Sequence, residues 1–277
     1  MLTGLATYER QAAAIAREVR LLRQDAEPAP TRSAVEMATD LGLSLDGWQR
    51  EVLTTTARDI LLLCSRQAGK STVAALLALH TAVFAPGSLV LALSPSERQS
   101  KRLLRVIRRH YAALRALAPA TTEGQLTLEL RNGSEIHALP GKEGTVRGFS
   151  EVDLLIIDEA ARVADELYAA VRPMLAVSGG QLIALSTPFG KRGFFHREWT
   201  AGGPEWHRAK VTACDVPRIP RAWLERERAR IGDWWFRQEY GCEFLETDDQ
   251  LYGTDLVLAA LSRDVAPLGL PAFAGAR

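Results

Sequence analysis

The sequence predicts an α/β fold in which a mainly parallel sheet is flanked by helices. Short apolar runs, of the kind found in buried strands, alternate with longer segments of helical periodicity. This alternation is typical of parallel strands in one sheet with helices packed on its faces. We divide the chain into an N-terminal helical arm and linker at 1–44, one α/β domain at 45–247 and a short tail at 248–277.

Composition limits the class of protein. Hydrophobic residues make up 47% and charged residues 24% of the chain, which argues against wholesale disorder. A net charge of +1 argues against a uniformly basic nucleic-acid coat protein but permits a local basic patch. We expect neither a membrane span nor a signal peptide, because no apolar run is long enough. The 3 cysteines lie far apart and suggest neither a disulfide framework nor a zinc site, which fits a reducing cytoplasm.

The first elements are expected to be helical. Residues 7–24 carry one apolar stripe, as in an amphipathic helix, and the proline-rich residues 26–30 end it. A short helix is expected over 33–41, packed against the main domain.

Strands and helices are then expected to alternate. Buried strands are predicted at 60–64, 89–93, 154–157 and 182–185. Helices are predicted near 71–84, 96–117, 163–175, 221–231 and 234–240. For residues 206–211, which follow the last predicted strand, we predict neither a strand nor a helix.

One β-hairpin is expected within this series. Residues 126–130 and 135–139 flank Asn132-Gly133, a strong signal for a tight turn between antiparallel strands. We place this hairpin at an edge of the sheet.

The first buried strand leads into a candidate phosphate-binding loop. Gly69-Lys70 is the only Gly-Lys pair followed by Ser or Thr, and it opens a helix rich in Ala and Leu. A helix N-terminus offers N–H donors and a positive dipole end to phosphate oxygens. We expect Lys70 to contact the β and γ phosphates and the Ser71 hydroxyl to hold Mg²⁺. The candidate ATP contacts here are Ser65, Arg66, Gln67, Ala68, Gly69, Lys70, Ser71 and Thr72.

This loop departs from the usual pattern at one position, since Cys64 stands where the first glycine is expected. The alternative interpretation is an ordinary turn between a strand and a helix.

Two acids end the apolar run 154–157. Carboxylates at the end of a buried strand are costly unless they meet a metal or cations. We expect Asp158 to hold Mg²⁺, directly or through water, and Glu159 to activate the water that attacks the γ-phosphate. Alternatively, both acids only cap the next helix.

Four further residues are candidates around the nucleotide. The Gln49 amide can pair with an adenine edge, or it can be an exposed residue at a helix start. The hydroxyls of Ser186 and Thr187 can sense the γ-phosphate, or they can form a capping turn. Arg66 can touch the γ-phosphate or position Glu159.

The segment from 98 to 122 carries seven cations and no acid. Four of the cations draw one stripe on the predicted helix, opposite an apolar stripe that faces the core: Arg98, Arg102, Arg105 and Arg109. Such a stripe can follow a DNA backbone without reading its sequence, and these four residues are candidate DNA contacts. A solvated helix face is the alternative.

Four motifs in this order resemble the ATPase domain of the large terminase subunit of tailed double-stranded DNA phages. They are Ser65–Ser71, Val146–Phe149, Leu155–Ala160 and Ser186–Pro188. The resemblance covers about residues 45–245. It implies an ASCE-type P-loop NTPase that uses ATP and Mg²⁺ to drive double-stranded DNA into an empty capsid.

The resemblance also implies partners and a location. A homo-oligomeric ring would work on the portal protein, together with a small terminase subunit, in the host cell cytoplasm. In isolation the chain can be a monomer.

The resemblance assigns roles residue by residue. Arg66 matches the arginine of the family's phosphate loop, and Trp48-Gln49 matches its adenine-side motif. Ser186-Thr187 matches the coupling motif. Arg147 matches an arginine proposed to act across the subunit boundary in some members, and we expect it in a loop between Gly144 and Gly148. Tyr240–Phe244 resembles the segment that closes the ATPase domain.

The tail departs from the family. Members usually carry an RNase H-like nuclease domain after the ATPase, with several carboxylates around Mg²⁺. The residues after Glu246 include Asp248, Asp249, Asp255 and Asp264 but are too few to build such a sheet. We therefore expect an isolated ATPase domain without nuclease activity.

Two other function classes compete with this interpretation. Another ASCE translocase, such as a helicase-like ATPase, would normally carry a second motor domain. A non-enzymatic protein could use nucleotide only to order an assembly surface, but Lys70, Asp158 and Glu159 together favour an active enzyme.

Overall fold

A computed structural model describes residues 32–246 apart from 142 and 147, together with Ala260. The amphipathic helix predicted over 7–24, Arg147 and the four tail aspartates lie outside these residues. The expectation for the tail therefore stays a prediction, as does the domain boundary at residue 45. Within the described part, no helix is both long and apolar enough to cross a bilayer.

The described strands form one sheet. In chain order they are β1 (Asp59–Cys64), β2 (Leu89–Ser94), β3 (Ala120–Glu123), β4 (Thr127–Leu130), β5 (Glu135–Pro140), β6 (Leu154–Asp158), β7 (Gln181–Ser186) and β8 (Trp206–Val211). Their order across the sheet is β3-β4-β5-β2-β6-β7-β1-β8. The β3–β4 and β4–β5 pairs are antiparallel and the other pairs are parallel, which confirms the predicted fold class.

Helices connect these strands. They are α1 (Ala34–Asp40), α2 (Gly47–Thr54), α3 (Lys70–Phe84), α4 (Glu97–Tyr111), α5 (Glu143–Val146), α6 (Asp165–Val171), α7 (Gly193–Ala201), α8 (Arg221–Ile231) and α9 (Asp233–Glu239). Short 3₁₀ helices lie at Ala160–Arg162, Arg172–Leu175 and Ala213–Asp215.

The sheet separates two apolar cores. Alternate residues of β1 point to opposite faces, so Ile60 and Leu62 join one core while Leu61 and Leu63 join the other. Helices cover both faces, which explains why β1 reads as one continuous apolar run. The short helix expected over 33–41 is confirmed as α1, and its Met37 is buried in the first core.

The inner strands match the sequence predictions, whereas both edges of the sheet differ from them. The hairpin is confirmed, with Leu128 opposite Ile136, but β5 also pairs with β2 and β3 forms the actual edge. Three of the four residues of β3 are exposed, so this strand has no apolar pattern. Residues 206–211 form the opposite edge strand β8, whose inner positions are only partly buried.

Two predicted helices are shorter than expected. The helix expected over 96–117 ends at Tyr111. The helix expected over 163–175 ends as an α-helix at Val171 and continues as a 3₁₀ turn containing Pro173, because proline lacks the N–H that an α-helix needs.

Candidate nucleotide-binding site

Three neighbouring parallel strands, β6, β7 and β1, bring their carboxyl ends to one edge of the sheet. β1 leads through residues 65–69 into α3, and β6 ends in Asp158. Ligands of open α/β sheets bind outside the carboxyl ends of the strands. The candidate residues that the sequence predicted from separate motifs therefore converge at this edge.

The loop between β1 and α3 has an unusual backbone. Gln67 and Gly69 both take positive φ, at 62° and 98°. A side chain at Gly69 would bring its Cβ to 2.8 Å from Nε2 of Gln49. The positive φ favours glycine at this position, and a side chain here would also displace the Gln49 amide. Lys70 is the first residue of α3, so the open N–H groups of this helix lie at the loop.

Lys70 and the acidic pair meet at the mouth of this loop. Nζ of Lys70 lies 3.4 Å from Oε1 of Glu159, and the two side chains are 12% and 22% exposed. Glu159 takes a left-handed backbone conformation directly after β6, with φ of 51°. Its backbone N–H donates to Oδ1 of Asp158 at 3.1 Å.

Asp158 is a buried acid with too little positive charge around it. Burial raises its pKa to about 6, the neighbouring Glu159 charge adds to the rise, and Lys70 and Arg102 oppose it. A cation at this carboxylate would compensate the burial cost. The half-buried Ser71 hydroxyl is a second oxygen donor in the same cavity. Hydroxyl and carboxylate oxygens suit Mg²⁺, so these two residues fit the ion that the sequence predicted.

A cavity of about 480 Å³ extends from the loop to α4. Its lining includes most of the predicted nucleotide contacts, namely Arg66, Gln67, Gly69, Lys70, Ser71, Thr72, Asp158 and Glu159. Ser65 and Ala68 belong to this loop but are fully buried, and they do not line the cavity. They can contribute to a ligand only through the backbone of the loop.

Gln49 is buried at 4% exposure, so its interpretation as an exposed residue at a helix start is wrong. Its Oε1 accepts from the backbone N–H of Asp46 at 2.9 Å, which completes a capping box at the start of α2. Its Nε2 faces Gly69. The side chain therefore packs against the phosphate loop, and its contact with adenine stays a prediction.

Three buried serine hydroxyls without a hydrogen-bond partner among the described residues lie at or directly after strand ends. Ser186 ends β7 beside Leu63 of β1, and its Oγ has no hydrogen-bond partner in the described part of the chain; the same holds for Ser65 after β1 and Ser94 at the end of β2. Such a hydroxyl costs about 1–3 kcal/mol. Ser94 was missed in the sequence, although a polar residue directly after an apolar strand was the available signal.

The predicted coupling residues, Ser186 and Thr187, are buried. Beyond them, Phe189 stacks against Arg162, whose Cζ lies 3.9 Å from the ring centroid. This contact joins the segment after Glu159 to the segment after Thr187.

Arg66 extends from the loop to helix α9. Its guanidinium forms an ion pair with Glu239, and this hydrogen bond raises the pKa of Arg66. Its backbone N–H also donates to the Glu239 carbonyl at 3.1 Å. Glu239 was not singled out in the sequence, because a single acid at the end of a short helix carries no local signal.

The basic stripe is confirmed as the exposed face of α4, opposite the buried residues Leu103, Ile107 and Tyr111. The four candidate arginines are not equivalent. Arg102 and Arg109 line the cavity at the phosphate loop, whereas Arg98 and Arg105 do not. A DNA contact by this stripe stays a prediction.

Arg147 itself lies outside the described residues, but its neighbours differ from the expected loop. Residues 143–146 form the helical turn α5, and Val146 is fully buried in the second core. Gly148 takes a φ of +104°. The chain is thus anchored directly before Arg147 and turns directly after it.

Known proteins share this sequence pattern. The family model described as "Terminase large subunit, T4likevirus-type, N-terminal" matches residues 61–257. The large terminase subunits of Thermus virus P23-45 and Thermus phage G20c are both 25% identical, over 247 and 248 residues. These alignments cover 76% of this chain and 51% of each relative, so the chain spans about half the length of these curated relatives.

Solved structures share the fold. The ATPase domain of the Thermus phage P74-26 large terminase superposes with a TM-score of 0.66 at 24% identity, covering 78% of this chain and 100% of that domain. The large terminase of another thermophilic bacteriophage, solved with ADP and with ATP-γ-S, superposes with a TM-score of 0.60. In the ADP complex the identity is 14%, and the match covers 73% of this chain and 54% of that one. The chain belongs to the terminase large subunit family, through the N-terminal domain of that family.

Proposed function

We propose that this chain is the ATP-hydrolysing motor domain of a viral DNA-packaging terminase, which moves double-stranded DNA into a capsid. One observation carries the proposal: Lys70, Asp158 and Glu159 meet at a single cavity that the phosphate loop borders. Family membership supports the same conclusion.

The loop would bind the triphosphate. The N–H groups at the start of α3 and the Lys70 ammonium supply donors and positive charge for the phosphate oxygens. Ser71 and Asp158 would hold Mg²⁺. When bound, this ion would neutralise phosphate charge.

Glu159 would act as the general base. It accepts a proton from the attacking water as the water oxygen bonds to the γ-phosphorus and the bond to the β–γ bridging oxygen breaks. Glu159 is held by Lys70 at 3.4 Å. A triphosphate that draws Lys70 towards its oxygens leaves Glu159 free to accept this proton.

Loss of the γ-phosphate would be relayed through the strand ends. Ser186 and Thr187 lie at the end of β7, next to β1 and β6. The Arg162–Phe189 stack joins the segments that follow Glu159 and Thr187. A displacement of one segment would therefore displace the other. The arginine stripe on α4 would contact the DNA backbone.

The working assembly would be a homo-oligomeric ring in the host cell cytoplasm. Its partners would be double-stranded DNA, the portal protein and the small terminase subunit.

Phosphate release from ATP tests the enzyme assignment. Glu159→Gln should bind ATP like the parent chain and lose turnover by at least about 10²-fold, since an amide cannot take up the proton. Glu166→Gln is the matched control, because Glu166 is an exposed acid on α6 outside the cavity. Parental turnover in Glu159→Gln would overturn the role of Glu159 as the base. A slow hydrolysis in the parent chain that stays unchanged in this variant would favour a non-enzymatic role.

A further inference from the structure

The polar cavity at the phosphate loop continues along helix α4. Six residues of one helical face line it, and we call them the α4 wall: Gln99, Arg102, Leu103, Val106, Arg109 and His110. Between the first and the last of these residues the helix rises by about 16 Å. The cavity therefore extends well beyond the part that Lys70 and Glu159 border.

The sheet order places the start of the α4 wall at the catalytic acids. α4 follows β2, whose carboxyl end lies next to that of β6, where Asp158 stands. Arg102 lies close enough for its positive charge to act on the buried Asp158 carboxylate. Arg109 lies about two helical turns further along α4 and is exposed. The wall thus leads from the reaction site to the protein surface.

Two arginines of the α4 wall carry positive charge that no acid neutralises directly. Lys101 of the same helix pairs with Glu97. In the part of the chain that the structure describes, no acid lies within ion-pair distance of Arg102 or Arg109. A guanidinium presents its donors in a planar fork that matches the oxygens of a phosphate. The two arginines are therefore suited to an anion with several oxygens.

The other residues of the α4 wall suit a partly protonated phosphate. Burial and the adjacent Arg109 charge lower the pKa of His110, so its ring is uncharged at neutral pH and can accept a hydrogen bond from a P–OH group. The Gln99 amide can both donate and accept. Leu103 and Val106 lie between these polar groups and limit the access of water, which strengthens the attraction between an anion and the arginines.

We infer that the α4 wall is a second anion site, which receives the inorganic phosphate released by hydrolysis and guides it out past Arg109. The inference rests on the proposed function and adds a site for one product. When the bond between the γ-phosphorus and the bridging oxygen has broken, ADP stays in the phosphate loop and the new phosphate can move. Arg102 offers this anion the next positive charge along the cavity. Arg98 and Arg105 lie outside the cavity and remain available to DNA.

Calorimetric titration with inorganic phosphate tests the site, with saturating Mg·ADP present so that the phosphate loop is occupied. Arg102→Gln combined with Arg109→Gln should weaken phosphate binding about tenfold and leave Mg·ATP affinity unchanged, because only the product meets both arginines. Arg102→Lys combined with Arg109→Lys should keep most of the phosphate affinity, since lysine retains the positive charge.

Arg226→Gln combined with Arg230→Gln is the matched control. It removes the same charge from exposed positions of α8 outside the cavity, and phosphate affinity should stay parental. Circular dichroism verifies that each variant folds. If the double glutamine variant does not fold, Arg109→Gln alone, at the exposed end of the wall, should still weaken phosphate binding without changing ATP affinity.

Three results would overturn the inference. The first is parental phosphate affinity in the glutamine variants of the α4 wall. The second is an equal loss of phosphate and ATP affinity, which would show that these arginines contact the bound nucleotide itself. The third is an equal loss in the α8 control, which would reveal a general effect of net charge. Failure of the proposed function looks different, because the parent chain would then release no phosphate from ATP.

Discussion

Nζ of Lys70 and Oε1 of Glu159 lie 3.4 Å apart, although the two residues come from different strand–loop units. The pair joins the group that would bind phosphate to the group that would accept a proton. Each charge partly neutralises the other in a site with little exposure, where electrostatic interactions are stronger than in water. Phosphate binding and activation of the base are therefore coupled through one contact.

Lys70→Ala should abolish tight ATP binding, because the phosphates lose their main positive partner. The unpaired Glu159 would then also repel the triphosphate. Lys210→Ala is a suitable control, since Lys210 is an exposed lysine on β8 outside the cavity. Titration calorimetry with ATP measures the effect, and parental affinity in Lys70→Ala would contradict the assigned role.

Asp158→Asn should stabilise the metal-free protein at neutral pH. Burial raises the pKa of Asp158 from 3.8 to about 6, so folding favours the protonated acid. The folded state therefore loses stability as pH rises from about 4 to 6, and the loss is complete above pH 6. A shift of this size corresponds to about 3 kcal/mol. Urea unfolding in EDTA should show this gain for Asp158→Asn at pH 7.5, and the gain should shrink towards pH 4. A difference in unfolding free energy between Asp158→Asn and the parent that does not change with pH would contradict this account.

Strands in the interior of the sheet could be predicted because both of their faces are covered. β1, β2, β6 and β7 consequently read as uninterrupted apolar runs, and the rule that parallel strands end at one edge brings Lys70 and Asp158 together. The edge strands β3 and β8 are partly exposed and carry mixed residues, so no local pattern identifies them.

Residues from the C-terminal part of the domain could not be assigned to the site from sequence. Glu239, Arg218 and Trp223 reach the phosphate loop only because the chain after β8 returns to it. Their roles depend on tertiary contacts with residues far away in the sequence. Gln49 was assigned to the nucleotide site from sequence, but its burial could not be predicted, because it depends on packing against Gly69.

One thiol per chain should react in the folded protein. Cys214 is exposed, whereas Cys64 and Cys242 are buried. Burial raises the pKa of the Cys64 thiol to about 12 and also raises that of Cys242, so neither forms a thiolate at neutral pH. Titration with Ellman's reagent at pH 8 should count one thiol in the native state and three in guanidinium. Rapid modification of a second thiol would show that Cys64 or Cys242 is less protected than the structure indicates.

Arg98→Glu combined with Arg105→Glu should weaken DNA binding without affecting ATP affinity. Both arginines are exposed on α4 and neither lines the nucleotide cavity, unlike Arg102 and Arg109. If they contact the phosphate backbone, affinity should fall for all DNA sequences alike. The slope of log affinity against log salt concentration should also become less steep by about two, because about two phosphate contacts are lost. Fluorescence anisotropy at several salt concentrations measures both effects.

A charge-matched control separates a local contact from the general effect of added negative charge. Arg226→Glu with Arg230→Glu makes the same charge change on exposed positions of α8. This control should keep most of the parental affinity. Equal losses in both double variants would identify α4 as an ordinary solvated face.

Arg147→Ala should bind ATP normally and turn it over slowly. Phosphoryl transfer builds charge on the γ-phosphate oxygens, and an arginine supplied by a neighbouring subunit can raise turnover by roughly 10³–10⁵. Arg66 serves its own subunit more readily, since it lies in the same loop as Lys70. We therefore expect Arg147 to complete the site of a neighbour. Turnover of the parent chain should accordingly rise more than linearly with protein concentration.

Mixing two inactive variants decides whether Arg147 acts between subunits. In a mixed ring, a Glu159→Ala subunit still offers its Arg147 to an Arg147→Ala neighbour, which retains its own Glu159. Some neighbouring pairs then contain one complete site, so activity should return on mixing and depend on the mixing ratio. The control mixes Arg147→Ala with an Arg147→Ala, Glu159→Ala double variant, which cannot restore any site. If both single variants co-assemble by light scattering and the mixture stays inactive, Arg147 does not act across the subunit boundary.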